Sequence, residues 1–203
     1  MPGKQEIKWA LAPIAMNFEK DIELCLQALR GGGIILYPTD TVWGIGCDAT
    51  NEKAVDRIYK LKKRTDNKAM IVLVTEQRDI LQYVANPDTR VFEYLENVTR
   101  PTTVIYRGAI GLAENVVSKD GSVAMRICQD EFCRTLIKRF RKPLVSTSAN
   151  LSGKPIAATY DEISIDIKIG VDYIVTHRQD DKTPAAPSTL IKWEKGQPTV
   201  IRE

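Results

Sequence analysis

Two polar segments of this chain have the composition to hold an anionic ligand. The first runs from Pro38-Thr39-Asp40-Thr41 through Gly44-Ile45-Gly46 to Lys62-Lys63-Arg64; the second is Ser146-Thr147-Ser148-Ala149-Asn150. Lysine meets phosphate as a point charge, whereas arginine offers a planar fork that grips two oxygens at once, so Lys62 and Arg64 are not interchangeable. Each piece also has an ordinary reading. A Pro-Thr-Asp turn forms readily by itself, and cations at a helix C-terminus complement the helix dipole.

Several other chemistries are excluded or weakened. There is no G-x-x-x-x-G-K-[ST], so a nucleotide would need a non-Walker site, and Gly44-Ile45-Gly46 lacks the third glycine of a dinucleotide fingerprint. A Ser-His-Asp hydrolase would depend on the single histidine, His177, which is read as structural or solvated. Cys25, Cys47, Cys128 and Cys133 form no C-x-x-C pair, which speaks against a disulfide framework or a zinc site. No paired carboxylates announce a protein-bound metal.

The elements that must position these residues follow from hydrophobic spacing. Phe18, Ile22, Cys25, Leu26 and Leu29 recur at helical intervals after an Asn17 cap, and Gly31 stops that helix. Ile34 to Tyr37 makes a strand. Thr50 or Asn51 caps a second helix with Ala54, Val55, Ile58 and Leu61 buried, which leaves Lys62 and Arg64 beside the stripe. Further strands are expected at 70–74, 102–106, 122–127, 143–145, 173–176, 188–193 and 199–202. Short helices are expected around 79–84 and 88–96, a longer one after an Asp130 cap, and a short one started by a Thr159/Glu162 capping box. The STSAN segment is read as a loop at a strand end. The closing strand pair favours a mixed sheet over a purely parallel one.

In this order, PTDTV-W-G-I-G, K-x-R at Lys62-Lys63-Arg64, S-x-N at Ser148-Ala149-Asn150, an STL strand and a terminal IR resemble the YrdC domain family of threonylcarbamoyl-AMP synthases. The resemblance spans about Asp21 to Arg202. It implies an α/β fold with a twisted open mixed sheet flanked by helices, a single domain over residues 1–203 (core about 18–203) with a large concave face, and no extra C-terminal domain. It implies condensation of L-threonine, bicarbonate or CO2, and ATP into threonylcarbamoyl-AMP and pyrophosphate. Magnesium is expected to arrive with the nucleotide. The product is destined for a tRNA adenosine through a downstream threonylcarbamoyl-transferase complex.

Carried over residue by residue, the resemblance makes Lys62 and Arg64 catalytic contacts to the phosphates. Ser122, Ser148, Asn150 and Arg202 join them at ATP, and Thr39, Arg126, Ser146 and Ser188 surround threonine. Arg126 is the partner of the amino-acid carboxylate. The chain departs from the family pattern at Trp43, where tyrosine is usual, and at Thr65 and Ala69-Met70, where prolines and leucine are usual. These departures leave the role of Lys68 open.

Composition sets the frame for these readings. The chain has 203 residues, 43% hydrophobic and 27% charged, with a net charge of +3, ordinary for one globular unit with a substantial core. No apolar run is long enough to span a membrane and no signal segment opens the chain, so a reduced, cytoplasmic protein is expected. The competing reading is a non-catalytic module of the YciO type that binds double-stranded RNA or tRNA through Lys62, Lys63, Arg64, Arg139, Arg141 and Lys142. Aromatic residues amount to only 7% and do not interleave with these cations, so base stacking is not indicated.

Overall fold

Helix α1 (Glu19–Arg30) turns Ile22, Cys25, Leu26 and Leu29 inward, as the spacing predicts. These belong to a computed structural model that describes residues 18–63 and 70–203. The expected Asn17 cap lies outside the described residues. The helix ends at Gly31, but the left-handed backbone falls one residue later, at Gly32 with φ +74°. Gly31 itself keeps φ −76°, a value open to any residue.

Among the described residues, nine strands form one mixed sheet in the order β7-β1-β2-β6-β3-β5-β4-β8-β9. They are β1 (Ile35–Tyr37), β2 (Gly44–Gly46), β3 (Ile71–Val74), β4 (Thr102–Arg107), β5 (Ser122–Ile127), β6 (Leu144–Ser148), β7 (Tyr173–Ile174), β8 (Thr189–Glu194) and β9 (Gln197–Arg202). The β1–β7, β3–β5 and β4–β8 pairs are parallel and the others antiparallel. Helices α2 (Glu52–Leu61), α3 (Gln77–Tyr83), α4 (Arg90–Glu96), α5 (Glu131–Phe140) and α6 (Ile165–Ile169) connect them. Asn51 and Asp130 cap α2 and α5 by accepting from Ala54 N and Cys133 N.

Two expectations need correction. The STSAN segment is not wholly loop, because Ser146, Thr147 and Ser148 pair with Ile71, Ile45 and Gly44 as the second half of β6. Nor does Glu162 start a helix. Its carboxylate accepts from Ala158 N (2.9 Å) and Thr159 Oγ1 (3.4 Å) within a turn, and the helical segment begins only at Ile165.

One apolar core joins α1, α2, α5 and the central strands. Phe18 meets Phe132 edge-on at 5.4 Å, and His177 stacks on Phe132 at 5.9 Å, so the single histidine packs, half-buried, against the edge of the core. All four cysteines are buried and free.

Asp21 is buried on α1 at 3% exposure. It accepts from Tyr173 Oη, and at 2.9 Å from Thr176 N, Thr176 Oγ1 and His177 N. Burial alone would push its pKa up; the four donors outweigh burial and hold it below the ordinary carboxylate value. Because the folded pKa is the lower one, the stabilisation is present above the unfolded pKa, about 3.9, and is lost as pH falls through the folded value. Asp21→Asn sets an amide against donors and is expected to cost about 3 kcal/mol near neutral pH. In urea titrations the deficit should shrink as pH is lowered towards 3; a deficit independent of pH would show that the carboxylate charge does not matter.

Candidate active site

Strand register gathers the candidate residues on one face of the sheet. Cross-strand partners point to the same side, and so do alternate residues along a strand. Leu73 pairs with Arg126, while Ser146 pairs with Ile71, Ile71 with Ala124, and Ala124 with Ile105. Gly44 pairs with Ser148, Thr103 with Leu190, and Leu190 with Arg202. Residues separated by more than a hundred positions therefore share a concave surface.

On that face lies a cavity of about 620 Å³. Its polar wall includes Thr41, Arg126, Ser146, Ser148, Ser188 and Arg202, and its apolar wall Met70, Ile71, Ile105, Ile156, Leu190 and Ile201. Five expected site residues thus converge on one space. Thr39, Lys62, Ser122 and Asn150 are not part of this lining, and Arg64 lies outside the described residues. Ser118 and Thr41 also line the cavity, although sequence reasoning did not select them. Thr41 was legible in the PTDTV tip; Ser118, in an irregular segment, carried no signal.

Glycine keeps part of this space open. A Cβ on Gly44 would come within 3.0 Å of Ser146 Oγ, and one on Gly46 would lie 2.6 Å from the Tyr37 ring and 2.7 Å from Val145 O. The Gly-Ile-Gly segment is thus a strand packed under a tyrosine. Tyr37 donates to Val145 O at 3.3 Å, and burial pushes its phenol pKa well up.

Arg126 is 3% exposed and forms a buried ion pair with Asp40, Nη2 to Oδ1 at 2.8 Å. Nη2 also donates to Thr41 Oγ1 at 3.3 Å, and Asp40 Oδ2 accepts from Gln129 N at 3.2 Å. Nε of Arg126 is buried and has no hydrogen-bond partner. A buried unmet guanidinium donor is costly, and a ligand carboxylate or hydroxyl reaching it would remove that cost.

Thr39 is folded back on its own turn. Its hydroxyl donates to Val42 O at 2.8 Å and accepts from Thr41 N at 3.0 Å. Ser188 and Thr103 form a buried hydroxyl pair at 2.8 Å, and Arg202 Nη2 donates to Ser188 O at 3.1 Å. Ser122 donates to Asp120 at 2.6 Å, and that bond, with a second from Ser122 N, lowers the Asp120 pKa.

Lys62 caps α2 and is only 3% exposed. Its ammonium donates to Ser148 O and, at 2.6 Å, to Asn150 O. Lys62 O in turn accepts from Ser152 N at 2.9 Å. Asn150 Nδ2 bonds Leu151 O (3.1 Å) and Lys154 O (2.7 Å), and its Oδ1 accepts from Ser148 Oγ. Lys62 of K-x-R thus meets S-x-N in space by bracing the second motif's backbone. Among the described residues no cluster of His, Cys, Asp and Glu has the makings of a metal site, and no helix is long and apolar enough to cross a membrane.

A family model described as "Telomere recombination", that of the Sua5/YciO/YrdC domain, matches residues 27–203. The chain belongs to the Sua5/YciO/YrdC family. Among curated relatives, the threonylcarbamoyl-AMP synthase of Vibrio campbellii is 32% identical over 148 residues, covering 71% of this chain and 80% of that protein. Among solved structures, P. abyssi Sua5 complexed with L-threonine aligns with a TM-score of 0.79 at 22% identity, over 90% of this chain and 54% of that one. This chain therefore spans about half the length of that Sua5. E. coli YciO aligns with a TM-score of 0.78 at 24% identity, over 91% of this chain and 89% of that one. At these identities the structural likeness concerns the fold, and it agrees with the mixed sheet described above.

Because Lys62 braces β6 and its continuation, Lys62→Ala is expected to destabilise the protein by about 2 kcal/mol by leaving carbonyls without their donor. Chemical denaturation checks this, and an unchanged midpoint would assign the lysine to ligand contact alone.

Proposed function

We propose that this chain is a threonylcarbamoyl-AMP synthase, joining L-threonine, bicarbonate or CO2, and ATP with release of pyrophosphate. The observation that carries the reading is Arg126, a buried guanidinium whose Nε has no hydrogen-bond partner, in the wall of a cavity edged by serine hydroxyls. A carboxylate suits that donor, and Ser146 and Ser188 suit the polar groups of a small amino acid. Kinship with curated synthases supplies the reaction class.

In this reading the threonine carboxylate approaches Arg126, already oriented by Asp40, while Thr41 and the turn built around Thr39 close one side. Once the amine carries CO2 as a carbamate, its oxygen attacks the α-phosphate of ATP and the bond to pyrophosphate breaks. The nucleophile is already anionic, so the protein's work is alignment and charge neutralisation. Ser148, Asn150, Ser122 and Arg202 belong to the nucleotide side, with Lys62 holding the Ser148–Asn150 backbone towards it and Arg64 as a second phosphate cation. Magnesium, if carried in with the triphosphate, would add to that neutralisation, with no protein ligand assigned to it among the described residues. The adenylate passes to a downstream transferase acting on tRNA in the cytoplasm.

The RNA-binding alternative draws little support from the basic surface. Arg139 pairs with Glu19, Lys142 with Asp48, and Lys62 is buried, so three of its cations are already engaged.

Pyrophosphate release by the purified protein, with threonine and bicarbonate omitted in turn, tests the reading. Release that needs both is expected; a folded protein that hydrolyses ATP without threonine, or releases nothing, would refute it. Arg126→Ala should raise the threonine KM by about 10²-fold and the ATP KM by less than about threefold, since a charged hydrogen bond to substrate contributes about 1.5–3 kcal/mol.

A further inference from the structure

Arg178 is part of no motif and does not line the cavity. Its guanidinium nevertheless reaches the turn on which the amino-acid side of the cavity is built. Nη2 donates to Thr39 O at 2.8 Å, and Nη1 pairs with Asp130 Oδ2 at 2.6 Å. Asp130 has both oxygens in use, because Oδ1 caps α5 by accepting from Cys133 N at 2.9 Å.

The base of Arg178 is itself fixed. The two preceding residues, Thr176 and His177, are bound to buried Asp21, and Gln179 Nε2 donates to Val175 O at 2.8 Å. Arg178 adopts left-handed backbone, φ +66°, an uncommon conformation for a residue other than glycine. That conformation is held between two anchored neighbours, which fits a side chain whose direction matters.

The turn it reaches is tied down at each residue. Pro38 O accepts from Cys133 Sγ at 3.2 Å, Thr39 O from Arg178, and Asp40 Oδ2 from Gln129 N. Asp40 then holds Arg126 at 2.8 Å. A displacement at Thr39 is transmitted through one peptide to Asp40 and from there to the guanidinium on the cavity wall.

We propose that Arg178 is a positioning residue for the amino-acid subsite. By bridging Asp130 and the Thr39 carbonyl it fixes the turn that aims Arg126, and it governs affinity for the amino acid without touching it. The inference rests on the reading of this cavity as the threonine site. Side-chain exposure of 32% for Arg178 and 11% for Asp130 means that the ion pair is partly screened, so loss of Arg178 should leave the protein folded.

The test compares Arg178→Met, Arg178→Lys and Asp130→Asn with the parent, using pyrophosphate release and the rise in melting temperature caused by threonine alone. Asp130→Asn keeps a good helix cap but removes the charge that holds Arg178. Misplacement of a binding group by a fraction of an ångström should raise the threonine KM of Arg178→Met about tenfold, with the ATP KM within about twofold. Threonine-induced stabilisation should fall in parallel. Arg178→Lys, able to reach one acceptor but not both, should recover part of the loss, and Asp130→Asn should reproduce part of it. Parental threonine affinity in both Arg178→Met and Asp130→Asn, or equal rises for threonine and ATP, would overturn the proposal. A parent protein without threonine-dependent turnover or stabilisation would overturn the synthase reading itself, a result distinguishable from failure of Arg178 alone.

Discussion

A guanidinium withdrawn from water must be paired, and the Arg126–Asp40 contact meets that demand in the middle of this fold. Arg126 belongs to β5 and Asp40 to the connection between β1 and β2, two regions separated by β3 and β6 in the sheet. The pair therefore pulls the Pro38–Thr41 turn across neighbouring strands onto the end of β5. The cost of desolvating Arg126 is only partly offset, since Nε keeps no partner. An incomplete set of hydrogen bonds is poor design for stability alone. It is sensible for a site whose ligand supplies the missing acceptor, because the orientation of the cation is settled before the ligand arrives.

Lys62 solves a related problem on the other side of β6. That strand runs into a turn at Asn150, whose carbonyl, with that of Ser148, faces a buried ammonium. The three donors of an ammonium can join several acceptors that converge from different directions, which a planar guanidinium does less readily. This gives a physical reason for lysine at this position. It also ties Lys62 to the second motif: α2 ends where the hydroxyl-bearing strand needs a cation.

Much of the fold was legible because its elements follow simple spacing. The stripe of α1, the Asn51 and Asp130 caps and the apolar runs of β3, β4 and β5 appear where hydrophobic periodicity puts them. Misreadings arose where tertiary context outweighed local signals. Gly44-Ile45-Gly46 did not read as a strand because glycine is poor in strands, yet the Tyr37 ring and Val145 O leave no room for a Cβ at Gly46. With β2 unrecognised, Thr147 and Ser148 had no visible partner, and the segment read as loop. Resemblance supplied the site residues that converge on the cavity, whereas Arg178 and Ser118 gave no local clue, since their roles depend on chain segments brought near only by folding.

The departure at Trp43 shows how the same context limits reading by residue type. A tyrosine hydroxyl suggests a polar task, but here the aromatic ring packs at 5.0 Å on Tyr160 and the backbone carbonyl accepts from Ala149 N at 3.0 Å. The position therefore serves the cavity by fixing the backbone that follows Ser148 and by covering it with an apolar ring, tasks that tryptophan performs without a hydroxyl. Tyr160 also carries Lys168 over its ring at 4.2 Å. The aromatic pair thereby links the β2–β6 side of the cavity to the segment leading into α6, so this change is absorbed in packing outside the row of charged and hydroxyl groups that lines the cavity.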